Sequence, residues 1–253
     1  MHLIDSHAHL DHRKFDGDRA AVISRAQEVG VVAILNAGAD LASSRAAVAL
    51  AEEHDFIYAA VGVHPHDALT VNPELLDELR KLARHPKVVA VGEIGLDYYR
   101  DLSPRPVQLR AFADQLALAT ELGLPVVIHS RDAHDDVLAA LQGWDGVGVL
   151  HSYSAGPERL EEVLALGFSI GISGPVTFPK AQPLRAVAAA VPLERLLVET
   201  DCPYMTPVPY RGRRNEPAHV RYVVEAVARA RDVQPEAVAR ATVNNARTLF
   251  GIL

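Results

Sequence analysis

The residues of this 253-residue chain best suited to chemistry are histidines and carboxylates that fall at the downstream ends of β-branched apolar runs. His7 and His9 end LIDSHAH, Glu93 follows VVAVG, His129 closes PVVIH, His151 closes VGVLH and Asp201 follows LLVET. Imidazole nitrogen and carboxylate oxygen suit zinc, manganese and other divalent ions about equally, and such ions turn bound water into a nucleophile. His7 and His9 stand two apart on an extended segment that also carries Asp5. Alternation sends both rings to one side, as two imidazoles sharing an ion require.

Glu93 is the expected bridge of a two-ion site. A buried carboxylate is costly without a cation beside it, and its two oxygens can serve ions about 3.5–4 Å apart. His129 and His151 close consecutive apolar runs and are expected to hold the second ion. Asp201 is expected to bind the first ion and to accept the proton of a bridging water. Taken singly, each has a structural reading: His7 and His9 as surface histidines, Glu93 as the partner of an arginine, His129 and His151 as satisfied core residues, Asp201 as a cap. Their shared placement at strand ends favours the metal site.

Other polar residues are assigned more loosely. His64, in VGVHPHD, is expected to touch substrate or stabilise a leaving group, with a structural role as the alternative. Arg131 in HSRD and Lys180 in FPKA can meet phosphate oxygens, and Arg211, Arg213, Arg214 and Asn215 form a cluster suited to a nucleic-acid backbone. His12, His54, His66, His85, His134 and His219 are read as solvent-facing or structural. Cys202 beside Asp201 is read as a small buried side chain rather than a nucleophile.

These residues need a fold that gathers many strand ends on one face. Strands are expected near Leu3–Ser6, Val31–Leu35, Ile57–Val63, Val88–Glu93, Pro125–His129, Val147–His151, Phe168–Ile172 and Leu196–Glu199. Helical patterns lie between them. One carries Val22, Ile23, Ala26 and Val29 on a single face and stops at Gly30; another runs from Pro106 to Gly123; a third spans Pro157 to Gly167; the last starts at Pro235. Roughly eight alternations favour an α/β fold, a (β/α)8 TIM barrel forming one domain over residues 1–253, with an open doubly wound sheet as the alternative. The proline-rich segment 202–217, CPYMTPVPYRGRRNEP, would rise as a loop over the active face.

Composition narrows the function. A formal net charge of −7 argues against a protein that coats nucleic acid wholesale, though not against a local basic mouth. One cysteine excludes an intramolecular disulfide framework. Neither a leader nor a membrane-length apolar run is visible, so a cytoplasmic monomer or weak oligomer is expected. HExxH, GxxxxGK[ST] and GxSxG are all absent.

The segments IDSHAHLD, VGVHPH, VGEIGLDYY, PVVIHSRDA, HSYS, LLVETDCPYMTP and RGRRNEP together resemble the TatD-like metal-dependent deoxyribonucleases, a branch of the amidohydrolase-like barrels. The resemblance spans nearly the whole chain in the family's order. It implies a TIM barrel with two divalent cations, one held by His7, His9, Glu93 and Asp201, the other by Glu93, His129 and His151. It also implies hydrolysis of DNA phosphodiesters, with exonuclease action the usual form. The sequence departs from the family pattern at Cys202 and at Ala155, which intervenes before Gly156. Backbone contacts by the arginine loop would favour single-stranded or frayed ends with little sequence preference. Alternatives are hydrolysis of an amide, lactone or aminoacyl ester on the same ions, or metal binding without catalysis.

Overall fold

The computed structural model describes residues 1–252. Its strands are β1 (Leu3–Ala8), β2 (Val31–Ala37), β3 (Ile57–Val61), β4 (Val88–Asp97), β5 (Val126–Arg131), β6 (Gly148–Leu150), β7 (Ser169–Ile172) and β8 (Leu196–Val198). All pair in parallel and in sequence order. The order never reverses, which rules out the open doubly wound alternative. The seam between β1 and β8 is closed by Asp201 N–H donating to the His7 carbonyl at 2.9 Å and His9 N–H to the Cys202 carbonyl at 2.8 Å. Asp5 belongs to this seam and not to the histidine cluster. Its carboxylate accepts the Thr200 N–H at 2.8 Å and the Thr200 hydroxyl at 2.5 Å.

The helices follow from their sequences. Arg19–Glu28 buries Val22, Ile23 and Ala26, and the chain leaves it through Gly30 at φ +93°, a conformation that costs glycine little. Arg105–Leu122 buries Phe112, Leu116 and Ala119 and ends on left-handed Gly123. The segment expected to be one helix from Pro157 to Gly167 is a short 3-10 turn, Pro157–Arg159, running into Leu160–Ala165. The last helix, Pro235–Phe250, places Val243, Ala246 and Phe250 in one buried cluster with Ile4, Leu35, Val127, Val149 and Leu197. One end of the barrel is thereby filled with hydrocarbon, leaving polar chemistry to the other.

Two irregularities aim side chains at the site. Between Val91↔Val126 and Ile94↔Ile128, β4 carries one residue more than β5. A bulge of this kind re-aims a side chain, and here the re-aimed residue is Glu93. Downstream, Gly95 has φ +135°, and a Cβ there would lie 2.1 Å from the His129 carbonyl oxygen, so only glycine lets β4 run this close to β5.

Candidate metal centre

His7, His9, Glu93, His129, His151 and Asp201 meet toward the carboxyl end of the barrel, and all except His9 and His129 are buried. His7 Nε2 and His9 Nε2 face each other at 3.1 Å. Glu93 Oε2 lies 3.4 Å from the first and 3.5 Å from the second. Asp201 Oδ1 lies 3.7 and 3.5 Å from the same nitrogens. The other Glu93 oxygen, Oε1, is 2.8 Å from both His129 Nδ1 and His151 Nε2, which are 3.3 Å apart. One carboxylate thus divides its two oxygens between two pairs of imidazoles.

The His7–His9 cluster has the spacing of a cation site, and the second is tighter, at 2.8 to 3.3 Å. A tetrahedral ion with nitrogen and oxygen ligands at about 2.0–2.1 Å requires ligand separations of roughly 3.3–3.4 Å. The five spacings around His7 and His9 run from 3.1 to 3.7 Å. The tautomers agree. His9 Nδ1–H donates to the Ala37 carbonyl at 2.9 Å, which leaves the Nε2 lone pair facing the carboxylates. His129 Nε2–H faces Asp97 Oδ2 at 3.2 Å, which leaves its Nδ1 lone pair against Glu93 Oε1. Lone pair against carboxylate is repulsive unless a proton or a metal ion stands between them.

The electrostatics record the same demand. Burial opposes charge on His9 and His151, yet the carboxylates outweigh it. Asp201 and Glu93 lift His9 to about 9, and Glu93 and Glu199 hold His151 well above the ordinary imidazole range. Glu93 lies well below the usual carboxylate range, its own burial being overcome by the imidazoles around it, His151 foremost. A proton on these rings balances the carboxylates as a bound cation would. Asp201 itself sits at φ +54°, a left-handed conformation that aspartate tolerates at some cost. Its N–H bond to His7 and its carbonyl bond from Tyr204 N–H, both 2.9 Å, hold it there.

Three residues outside the expected set support the cluster. Asp97, buried at the end of β4, faces both His129 Nε2 and His66 Nε2, the latter at 2.9 Å. Glu199 approaches His151 Nδ1 at 3.3 Å and accepts Ser152 N–H. Gln108, buried in the Arg105–Leu122 helix, accepts Asp97 N–H at 2.9 Å and donates to the Asp97 carbonyl at 3.2 Å, fixing that strand end. Glu199 and Asp97 each close an apolar run, the signal used for Glu93 and Asp201, so both were open to the same reading. His66 was read as solvent-facing or structural; it lines the cavity instead.

His64 lies beside the second pair with Nε2 3.5 Å from Glu93 Oε1. Its Nδ1 accepts His66 N–H at 3.2 Å, so the neutral ring carries its proton on Nε2 and acts as a donor, not a ligand. Burial pushes its pKa down to about 3, which keeps it neutral. The cavity above these groups has a volume of about 1020 Å³, with His64, Arg131 and Tyr204 among its walls.

A family model described as TatD related DNase matches residues 4–251. The chain belongs to the TatD family. It is a metal-dependent hydrolase of the deoxyribonuclease class, as the motif resemblance implied. It is similar to the uncharacterized metal-dependent hydrolase YabD of Bacillus subtilis strain 168, with 43% identity over 99% of each chain. It is also similar to the 3′-5′ ssDNA/RNA exonuclease TatD of Pantoea ananatis, with 40% identity over 99% of this chain and 100% of that one. Among solved structures, the TatD homologue YJJV of Escherichia coli K12 superposes with a TM-score of 0.94 at 35% identity, over 99% of this chain and 98% of that one. No described helix is long and apolar enough to cross a membrane.

The residues expected to bind substrate on this TatD barrel do not act as one group. Arg131 lines the cavity, while Lys180 is exposed beside Ala181 at its edge. Arg214 is tied to both Asp18 oxygens at 2.7 Å and to the Lys14 carbonyl, over the Phe15 ring. Asn215 is fully buried, its amide donating to the Thr200 and Tyr204 carbonyls and its oxygen accepting Glu216 N–H. Both fasten the loop to the barrel, and this corrects the expectation that they contact a strand. Arg211 lies over Phe178, and Arg213 is exposed outside the cavity walls. Cys202 is fully buried, and burial pushes its thiol well above the usual range, which fits a packing role.

Proposed function

We propose that this TatD-family hydrolase holds two divalent cations and removes nucleotides from the ends of single-stranded nucleic acid. His7, His9, Glu93 and Asp201 would hold one ion; Glu93, His129 and His151 the other. The observation that carries this reading is the division of Glu93, Oε2 toward His7 and His9, Oε1 toward His129 and His151. When bound, the ions supply an activated water and neutralise charge on a phosphoryl group in line with it. The same donor set accommodates magnesium, manganese or zinc.

Around that chemistry the chain's own residues have defined tasks. Asp201, held below the usual carboxylate range despite its burial, stays ionised and receives the water's proton on its carboxylate. His64 offers Nε2–H to a phosphate or leaving oxygen at the cavity wall. Arg131 meets a phosphate oxygen at the mouth. The relatives named as 3′-5′ ssDNA/RNA exonucleases support the same polarity and a strand-end substrate. Residues 1–253 would act as a single domain.

The test uses purified protein with magnesium, manganese or zinc on 5′-labelled single-stranded DNA, beside a panel of amide, lactone and ester substrates. Stepwise shortening from the 3′ end is expected, with Asp201→Asn inactive but folded by circular dichroism. Intact DNA alongside turnover of an acyl substrate would refute the nuclease reading.

A further inference from the structure

Two exposed tyrosines stand on opposite sides of the barrel's active end. Tyr204 follows β8 and Tyr99 follows β4, and in a closed ring of eight strands in sequence order those two strands lie across from each other. Tyr204 is 46% exposed and Tyr99 57% exposed. Tyr98 and Tyr153, by contrast, anchor their hydroxyls on Asp136 and the Gly156 carbonyl. The Tyr204 ring is part of the cavity wall, with its centroid 6.4 Å from that of His9.

Each ring comes with positive charge. Lys14 Nζ lies 5.1 Å from the Tyr204 centroid. The Arg131 guanidinium lies 4.1 Å from the Tyr99 centroid, and Arg100 lies 5.8 Å from it. Arg100 and Arg131 also line the cavity, so the same groups that touch the ring face the path of a phosphate chain. These cations stand at the active end of a chain whose formal net charge is −7. Aromatic faces beside cations bind unpaired bases and their phosphates; in a duplex the base faces are already covered by their neighbours.

We propose that Tyr204 and the Tyr99–Arg131 pair are base-stacking platforms for a single strand. Tyr204 takes the base next to the reacting phosphate, and Tyr99–Arg131 takes a base further along. This rests on the nuclease reading and extends it from phosphodiester chemistry to how the strand is recognised. Stacking reads the face of a base and not its edge, so sequence is tolerated and duplex is rejected.

The test is binding of metal-loaded protein to fluorescein-labelled, phosphorothioate-linked single strands that resist hydrolysis, followed by anisotropy. A base-bearing strand is compared with an abasic strand of equal length. Tyr204→Ala and Tyr99→Ala are each expected to weaken binding of the base-bearing strand about 10- to 100-fold. Tyr204→Phe and Tyr99→Phe should stay within about threefold of the parent. The parent's preference for the base-bearing over the abasic strand should fall in step with the alanine losses. Equal binding of both strands by the parent, or alanine variants that bind like it, would overturn the platforms. Cleavage of end-labelled DNA by the parent, measured separately, separates the two ideas. Cleavage with unaltered binding by the variants removes the platforms alone; neither cleavage nor binding removes both.

Discussion

Asp97 Oδ2 lies 3.2 Å from Nε2 of His129, the ring whose Nδ1 meets Glu93 Oε1 at 2.8 Å. The carboxylate fixes which nitrogen carries the proton and so which one is free to bind a cation. Glu199 stands in a similar relation to His151. Carboxylates behind ligating histidines raise ligand basicity and fix ring orientation.

Asp97→Asn is therefore expected to weaken binding of the ion proposed at Glu93, His129 and His151 by about 10- to 100-fold while leaving the circular dichroism spectrum unchanged. Titration calorimetry on chelator-stripped protein checks this. Affinity equal to the parent's would show that Asp97 does not orient His129.

Glu93→Gln removes the one anion common to both clusters. Each of the two proposed ions would then lose a charged ligand, and the ring nitrogens within 2.8–3.5 Å lose their counter-charge. Metal per chain, measured by elemental analysis after desalting, should fall below the parent's value, and turnover should be lost. Full metal content would show that the two clusters are independent of this bridge.

The metal-free protein should lose stability as pH rises from about 6.5 to 9. His9 is raised in the fold from 6.5 to about 9, so its stabilising charge is fully present below 6.5 and is lost as pH passes through 9. His64 works at the other end. Its pKa falls from 6.5 to about 3, so stability declines as pH drops through that interval. Thermal melts in chelator across this range test both limbs. Added metal should flatten the alkaline limb, because it replaces the proton on His9, and its affinity should rise with pH over the same interval. A chelated protein that gains stability up to pH 9 would contradict the assignment.

Arg214→Ala should act on stability more than on substrate binding. The guanidinium holds Asp18 with two contacts of 2.7 Å, but both partners are partly exposed. The loss is about 1 kcal/mol, or a melting shift of roughly 2–4 °C. A tenfold rise in KM for single-stranded DNA with no change in melting would restore Arg214 as a substrate contact.

Gln108→Leu should cost about 2–4 kcal/mol, because it strips the hydrogen bonds from the buried N–H and carbonyl of Asp97. Chemical denaturation gives the stability change. Metal affinity should fall with it, since Asp97 orients His129; a stability loss without an affinity loss would confine Gln108 to packing.

Although the strand expected to end at Glu93 runs on to Asp97, the sequence by itself determined the alternation of eight apolar runs with helices and the downstream placement of His7, His129, His151 and Asp201. That much is local, because side-chain periodicity and helix stops depend on neighbours a few residues away. Parallel strands in sequence order then leave their carboxyl ends on one face.

Tertiary structure decided the rest. The extra residue in β4 that turns Glu93 inward, the seam that consumes Asp5, and the salt bridge that draws Arg214 to Asp18 depend on partners far along the chain. Whether a polar side chain is free for substrate depends on which buried donors and acceptors remain unpaired once the barrel closes. Arg214 and Arg131 look alike in sequence, yet Arg131 lines the cavity while Arg214 is tied to Asp18.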